Sequence, residues 1–134
     1  MATTISIKNL PEGYQSIITN GKHTIVGDEP LQSKGTDLGL SPSELVLSGL
    51  AMCKVATIRF IARKNDWNIG EVKAELSQEV KRSSKGFQTN VKVAIQIEGH
   101  VTQEQKDELL KQADACYIHR QLTGEWNIEH STEF

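Results

Sequence analysis

The stretch that decides the fold is Ser41-Pro42-Ser43-Glu44-Leu45-Val46-Leu47-Ser48-Gly49-Leu50-Ala51-Met52-Cys53. Its first four residues spell a helix start. Ser41 can cap, Pro42 fits the first helical position, and Glu44 stands three residues after the cap, where its side chain can reach back. From Leu45 onward the run is apolar on nearly every side, which predicts a helix from residue 45 to about residue 65, buried on most faces. Its second half turns cationic with Arg59, Arg63 and Lys64, which suits the negative end of the helix dipole, and Asn65-Asp66 supplies the stop.

Upstream, the first thirty residues read as a small antiparallel sheet. Ile5 and Ile7 alternate with polar residues, and the segment from Tyr14 to Thr19 leads into Asn20-Gly21, a pair expected to form a type I′ turn. The second arm is expected from Lys22 to Val26, closing at Gly27-Asp28. The loop Gly35-Thr36-Asp37-Leu38-Gly39 lacks the Lys-Ser/Thr ending of a phosphate loop, so no nucleotide is expected there.

Downstream, Val72, Ala74, Leu76 and Val80 fall at even spacing, as do Val91, Val93, Ile95 and Ile97. Two strands with one apolar and one wet face follow, joined by a turn between Ser83 and Gly86. Thr102 and Gln105 form a second capping box, opening a helix from Gln103 to about Tyr117 with Cys116 on its inward face near the end. A short turn from Ile118 to Gly124 and a last strand from Trp126 to Ser131 complete the order β-β-β-α-β-β-α-β, an α+β domain.

The chain of 134 residues fits one domain spanning residues 1–134, with 37% hydrophobic and 24% charged residues. A net charge of -2 with no basic stripe argues against a nucleic-acid partner. No uninterrupted apolar run reaches the roughly 18 residues of a membrane span, and Met1 to Asn9 lacks the pattern of a signal peptide. A cytoplasmic location is expected, where Cys53 and Cys116 would not form a permanent structural bridge. By count alone the two are small buried hydrophobes. Thiol chemistry would need a thiolate and, for recycling, a second thiol within reach. Cys53 lies in the most apolar helix, where burial alone would silence it, so an active thiol there needs a nearby cation or hydrogen-bond donors.

The helix start at Ser41-Pro42-Ser43-Glu44-Leu45, running into Ala51-Met52-Cys53, resembles the central-helix motif of the OsmC/Ohr superfamily, the osmotically inducible and organic-hydroperoxide-resistance proteins. Cys116-Tyr117-Ile118-His119-Arg120-Gln121-Leu122 resembles its second-cysteine motif. The entry Gly39-Leu40-Ser41-Pro42 and the exit Asn65-Asp66-Trp67 are similar as well. The resemblance covers nearly the whole chain. It implies an intertwined homodimer with long central helices buried between sheets and two sites at the subunit interface. It also implies that Cys53 attacks the O–O bond of an organic hydroperoxide or hydrogen peroxide and becomes a sulfenic acid. Cys116 would then resolve it to a disulfide, which an external dithiol reduces, with no metal or organic cofactor.

Hydroperoxide-reducing members of that family use an arginine from the N-terminal half to stabilise the thiolate, held by a glutamate directly after the helix-opening proline. Here Ser43 follows Pro42, Glu44 comes one residue later, and no arginine precedes Arg59. Lys22, His23, Lys34, Arg59, Arg63 and Arg120 remain as cations for the role, and Glu44 can equally be the capping partner of Ser41. The alternative expectation is a non-enzymatic or weakly active member that binds a small thiol or apolar ligand in the same interface pocket. His119, three residues after Cys116, could be half of a metal site with Asp114 and Cys53, but zinc takes about three or four ligands and no metal is expected. His23, His100 and His130 read as surface residues, and Trp67 and Trp126 as packing residues.

Overall fold

A computed structural model describes residues 2–134. The chain divides after Ser48 into two compact units.

The first unit holds three antiparallel strands, β1 (Ser6–Asn9), β2 (Ser16–Thr19) and β3 (Thr24–Gly27), in the order β1-β2-β3. The expected type I′ turn at Asn20-Gly21 is replaced by a wider loop, because Thr19 pairs with Thr24 and residues 20–23 lie between them. The Asn20 side chain carries the loop, its Oδ1 accepting from the N–H groups of Lys22 (3.0 Å) and His23 (2.7 Å), and only Gly21 takes a positive φ of 94°.

The loop after β3 folds back around Asp28. Its carboxylate accepts from the N–H groups of Tyr14, Glu29, Thr36 and Leu38 and from the Thr36 hydroxyl. These bonds, the Thr36 hydroxyl's foremost, hold the Asp28 carboxyl at about 2, although burial works in the opposite direction. Two glycines permit the close approach: a Cβ at Gly35 would collide with the Glu29 carbonyl, and one at Gly39 with that of Val26. The glycine-rich loop is a backbone clasp.

Helix α1 (Pro42–Lys64) starts in the first unit and continues through the second. Its capping box is formed as the residues predict: the Ser41 N–H donates to Glu44 Oε1 (2.9 Å) and the Glu44 N–H to Ser41 Oγ (3.3 Å). At the far end Asp66 takes a φ of 54° and the Trp67 N–H closes on the Ala62 carbonyl at 2.8 Å, so Asn65-Asp66 is the stop. The expected burial on most faces is not what a single chain provides. Leu50, Lys54, Ile58 and Ala62, spaced by one helical turn each, are buried, while Met52 and Phe60 are 71% and 63% exposed.

In the second unit β4 (Val72–Ser83) and β5 (Gly86–Ile97) form a hairpin in register from Val72↔Ile97 to Ser83↔Gly86. Ile58, Ala62, Ile69, Leu109 and Ala113 make the core, with Trp67, Val72, Ile95 and Ile97 packed against it. By composition and length α1 could cross a bilayer, yet in this unit it contributes Ile58 and Ala62 to the core, with Ile61 packed against it.

Thr102 caps α2 (Gln103–Ala113) with both bonds of the capping box. This helix ends earlier than expected, and the segment read as a turn after Ile118 is instead a short helix, α3 (Tyr117–Leu122). Residues 126–131, expected as a strand, carry no regular secondary structure. A strand needs a hydrogen-bonding neighbour, and no strand of the described chain pairs with this segment.

Candidate functional site

Cys53 and Cys116 meet at the start of α3. After Ala113 the chain leaves α2, and Cys116 adopts an extended conformation (φ -65°, ψ 154°) that makes it the N-cap of α3. It is therefore not a residue of α2, although it does face inward and is only 2% exposed. Its Sγ accepts from the His119 N–H at 3.4 Å. The next N–H back along the chain, that of Ile118, donates to Cys53 Sγ, also at 3.4 Å. Two sulfurs from distant parts of the sequence thus rest on successive amides of one helix start, where unpaired N–H groups favour negative charge. Both cysteines are free thiols, with Cys53 the more exposed.

Burial pushes the Cys116 thiol up from its ordinary range. The His119 N–H opposes this, the neighbouring Cys53 thiol adds to the rise, and the positive charge of Lys54 works weakly against it. The net direction is upward, which favours the protonated thiol at Cys116.

Lys54 is a side chain of this site that reading the sequence missed. It is 1% exposed, and its Nζ contacts the Ala113 carbonyl at 3.1 Å and His119 Nδ1 at 2.9 Å. The exposed Asp114 carboxylate lies 3.7 Å away. A buried ammonium is tolerated only when its charge finds partners: the carbonyl and the ring nitrogen take hydrogen bonds, and the carboxylate adds an ion pair. An ammonium donates only, so a charged Lys54 requires Nδ1 of His119 as the acceptor of this contact. The signal was present in the sequence: Lys54 is the one charged residue on the Leu50, Lys54, Ile58, Ala62 stripe.

The other candidates are placed as follows. Lys22 is exposed in the β2–β3 loop. Ser43 and Glu44 stand in the first turn of α1, where the backbone N–H of Ser41 and then its hydroxyl lower the Glu44 carboxyl. Glu44 is thus engaged as a capping partner. Arg59 donates to the Gly70 carbonyl at 2.7 Å, and Arg120 is exposed on α3. His23, His100 and His130 are exposed, Trp67 packs on the core, and Trp126 is 54% exposed with its indole N–H on the Gln121 carbonyl. Among the described residues no three His, Cys, Asp or Glu side chains gather as metal ligands. A separate cleft of about 290 Å³ in the first unit is lined by Ile7, Tyr14, Ile18, Leu40, Pro42 and Leu45 and contains neither cysteine.

The sequence profile of the family described as "OsmC-like protein" matches residues 35–131, from the clasp loop through both cysteines. The chain belongs to that family. Solved structures of similar fold include the OsmC like protein from Mycoplasma pneumoniae (TM-score 0.79, 19% identity, covering 92% of this chain and 89% of that one). An organic hydroperoxide resistance protein from Elizabethkingia anophelis matches with a TM-score of 0.71 at 17% identity, covering 92% and 89%. The organic hydroperoxide resistance protein OhrB of Bacillus subtilis matches with a TM-score of 0.68 at 16% identity, covering 92% of each chain. At these identities the likeness establishes the OsmC-like α+β fold. No match is found among curated protein sequences.

Proposed function

We propose that this OsmC-like protein is a Cys-based peroxide reductase acting on organic hydroperoxides or hydrogen peroxide. The observation that carries the reading is the placement of both sulfurs on the successive N–H groups of Ile118 and His119. Cys53, the more exposed of the two residues, attacks the O–O bond as the thiolate. The sulfur becomes a sulfenic acid, and the other oxygen leaves as an alcohol or, from hydrogen peroxide, as water. Cys116 then attacks the Cys53 sulfur: an S–S bond forms, the S–O bond breaks, and the Cys116 proton leaves with the hydroxide as water. An external dithiol returns the pair to thiols. Family membership and the hydroperoxide-resistance proteins among its structural neighbours support this reading.

In this reading residues 1–134 act as one domain of a cytoplasmic homodimer, and the chemistry needs no metal or organic cofactor. The dimer is supported by Gly49, Met52, Ala56 and Phe60, an exposed stripe of α1 on the side opposite its buried one. Small residues alternating with large apolar ones offer a surface on which a second helix can pack.

The test is a thiol count on reduced protein after one equivalent of a hydroperoxide. Wild type loses both thiols, and Cys53→Ser consumes no peroxide. Survival of both thiols in wild type, or undiminished consumption by Cys53→Ser, contradicts the reading. A second reading, a binding protein for an apolar ligand, is favoured by the apolar cleft of the first unit, and a bound ligand there with inert thiols would establish it.

A further inference from the structure

We propose that Lys54 is the positioning cation of the thiol pair, holding Cys116 inward at the α2–α3 joint and favouring its thiolate at the moment it attacks the oxidised Cys53. The attack itself rests on the peroxide-reductase reading; the placement of the charge does not.

Four contacts converge on the joint. The Ala113 carbonyl, at the end of α2, accepts from Lys54 Nζ at 3.1 Å and from the Cys116 N–H at 3.3 Å. His119 is bound at both ends: its ring Nδ1 lies 2.9 Å from Lys54 Nζ, and its backbone N–H donates to Cys116 Sγ at 3.4 Å. Lys54 therefore grips the residues on either side of Cys116. It does so from the turn of α1 that also carries Cys53.

The electrostatic part follows from burial. Cys116 is 2% exposed and Lys54 1%, so the charge acts on the thiol with little water to screen it. The titratable groups that face Lys54 are His119, Asp114 and Cys116 of the α2–α3 segment and Cys53 on its own helix. Asp114 is 76% exposed, so its carboxylate is solvated and offsets the charge of the ammonium only in part. A buried thiol that must lose its proton during the resolving step benefits from such a charge. A protonated resting thiol and a cation that assists its ionisation fit a residue used second in the sequence of steps.

Thiolate absorbance against pH in a Cys53→Ser background, where Cys116 is the sole thiol, tests the proposal. The Cys53→Ser, Cys116→Ser double variant serves as the blank. Lys54→Met should move the Cys116 midpoint upward, giving about threefold less thiolate at a fixed pH below it, whereas Lys54→Arg should restore the parental profile. A folded Lys54→Met whose midpoint coincides with the parent overturns the proposal. A purely structural lysine would not produce a shift that Arg reverses.

Should Lys54→Met fail to fold, the wild-type His119 ring decides by ¹⁵N correlation spectroscopy. Nδ1 without a proton supports the ammonium as donor, and a proton on Nδ1 overturns it. Neither measurement uses peroxide. A midpoint shift together with a wild-type protein that leaves peroxide intact would therefore sink the reductase reading and keep the cation, and an unshifted midpoint together with a wild type that consumes peroxide would do the reverse.

Discussion

Lys54 Nζ stands 2.9 Å from His119 Nδ1, joining the residue after one cysteine to the residue three beyond the other. This contact ties α1 to α3 at the point where both sulfurs take their hydrogen bonds. An apolar helix can carry a lysine here because the end of α2 and the start of α3 supply a carbonyl, a ring nitrogen and a nearby carboxylate.

Leu109 on α2 is fully buried against Ile58, Ala62, Ile69 and Ala113. Leu109→Ala should lower stability by about 3 kcal/mol, combining lost transfer energy with the cavity left behind. Denaturant unfolding of both proteins measures it.

The Asp28 clasp gives the first unit an acid dependence. The carboxyl titrates at about 2 rather than 3.8, so its contribution is complete above about 3.8 and lost as the pH falls through about 2. Asp28→Asn should therefore melt lower than wild type by several degrees at neutral pH, and the difference should shrink as the pH falls from about 4 to about 2. Thermal scans across that window read the effect directly.

Cys116→Ser should leave the first chemical step intact and stop the second. After one equivalent of hydroperoxide, Cys53 should accumulate as a sulfenic acid that a dimedone-type reagent labels, with no disulfide formed. Equal dimedone labelling of wild type and Cys116→Ser would remove Cys116 from the resolving role.

Much of this arrangement was legible in the residues. The capping boxes at Ser41 and Thr102 and the alternation from Val72 to Ile97 are local patterns, set by hydrogen bonds within a turn or by a period of two, and the structure carries each of them. The position of Cys116 was less legible because Leu109, Ala113 and Cys116 keep a helical spacing across a break that no glycine or proline marks. The break is visible only in the bonds around Ala113 and Asp114. The segment from Trp126 to Ser131 has the composition of a strand, but pairing depends on a neighbour that local pattern does not specify. Lys54 is not legible as a cation for the thiols because it stands beside Cys53 on an apolar helix, where neighbours in sequence point to different sides. Its partners, Ala113 and His119, become visible only when α1 packs on the α2–α3 joint.

The exposed stripe of α1 makes self-association testable. Phe60→Asp places a charge on that stripe without touching the buried residues Ile58 or Ala62. Sedimentation should show a dimer for wild type and a shift of at least about tenfold toward monomer for the variant, since burying an unpaired carboxylate in an interface costs more than about 1.4 kcal/mol.

The central claim is that Cys53 and Cys116 form one redox pair within a chain, and peptide mapping by mass spectrometry after one equivalent of a hydroperoxide tests it most directly. The account predicts a disulfide-linked fragment joining the Cys53 and Cys116 peptides, lost on treatment with a dithiol. Recovery of both peptides as free thiols, or of each cysteine bridged only to another chain, would contradict it.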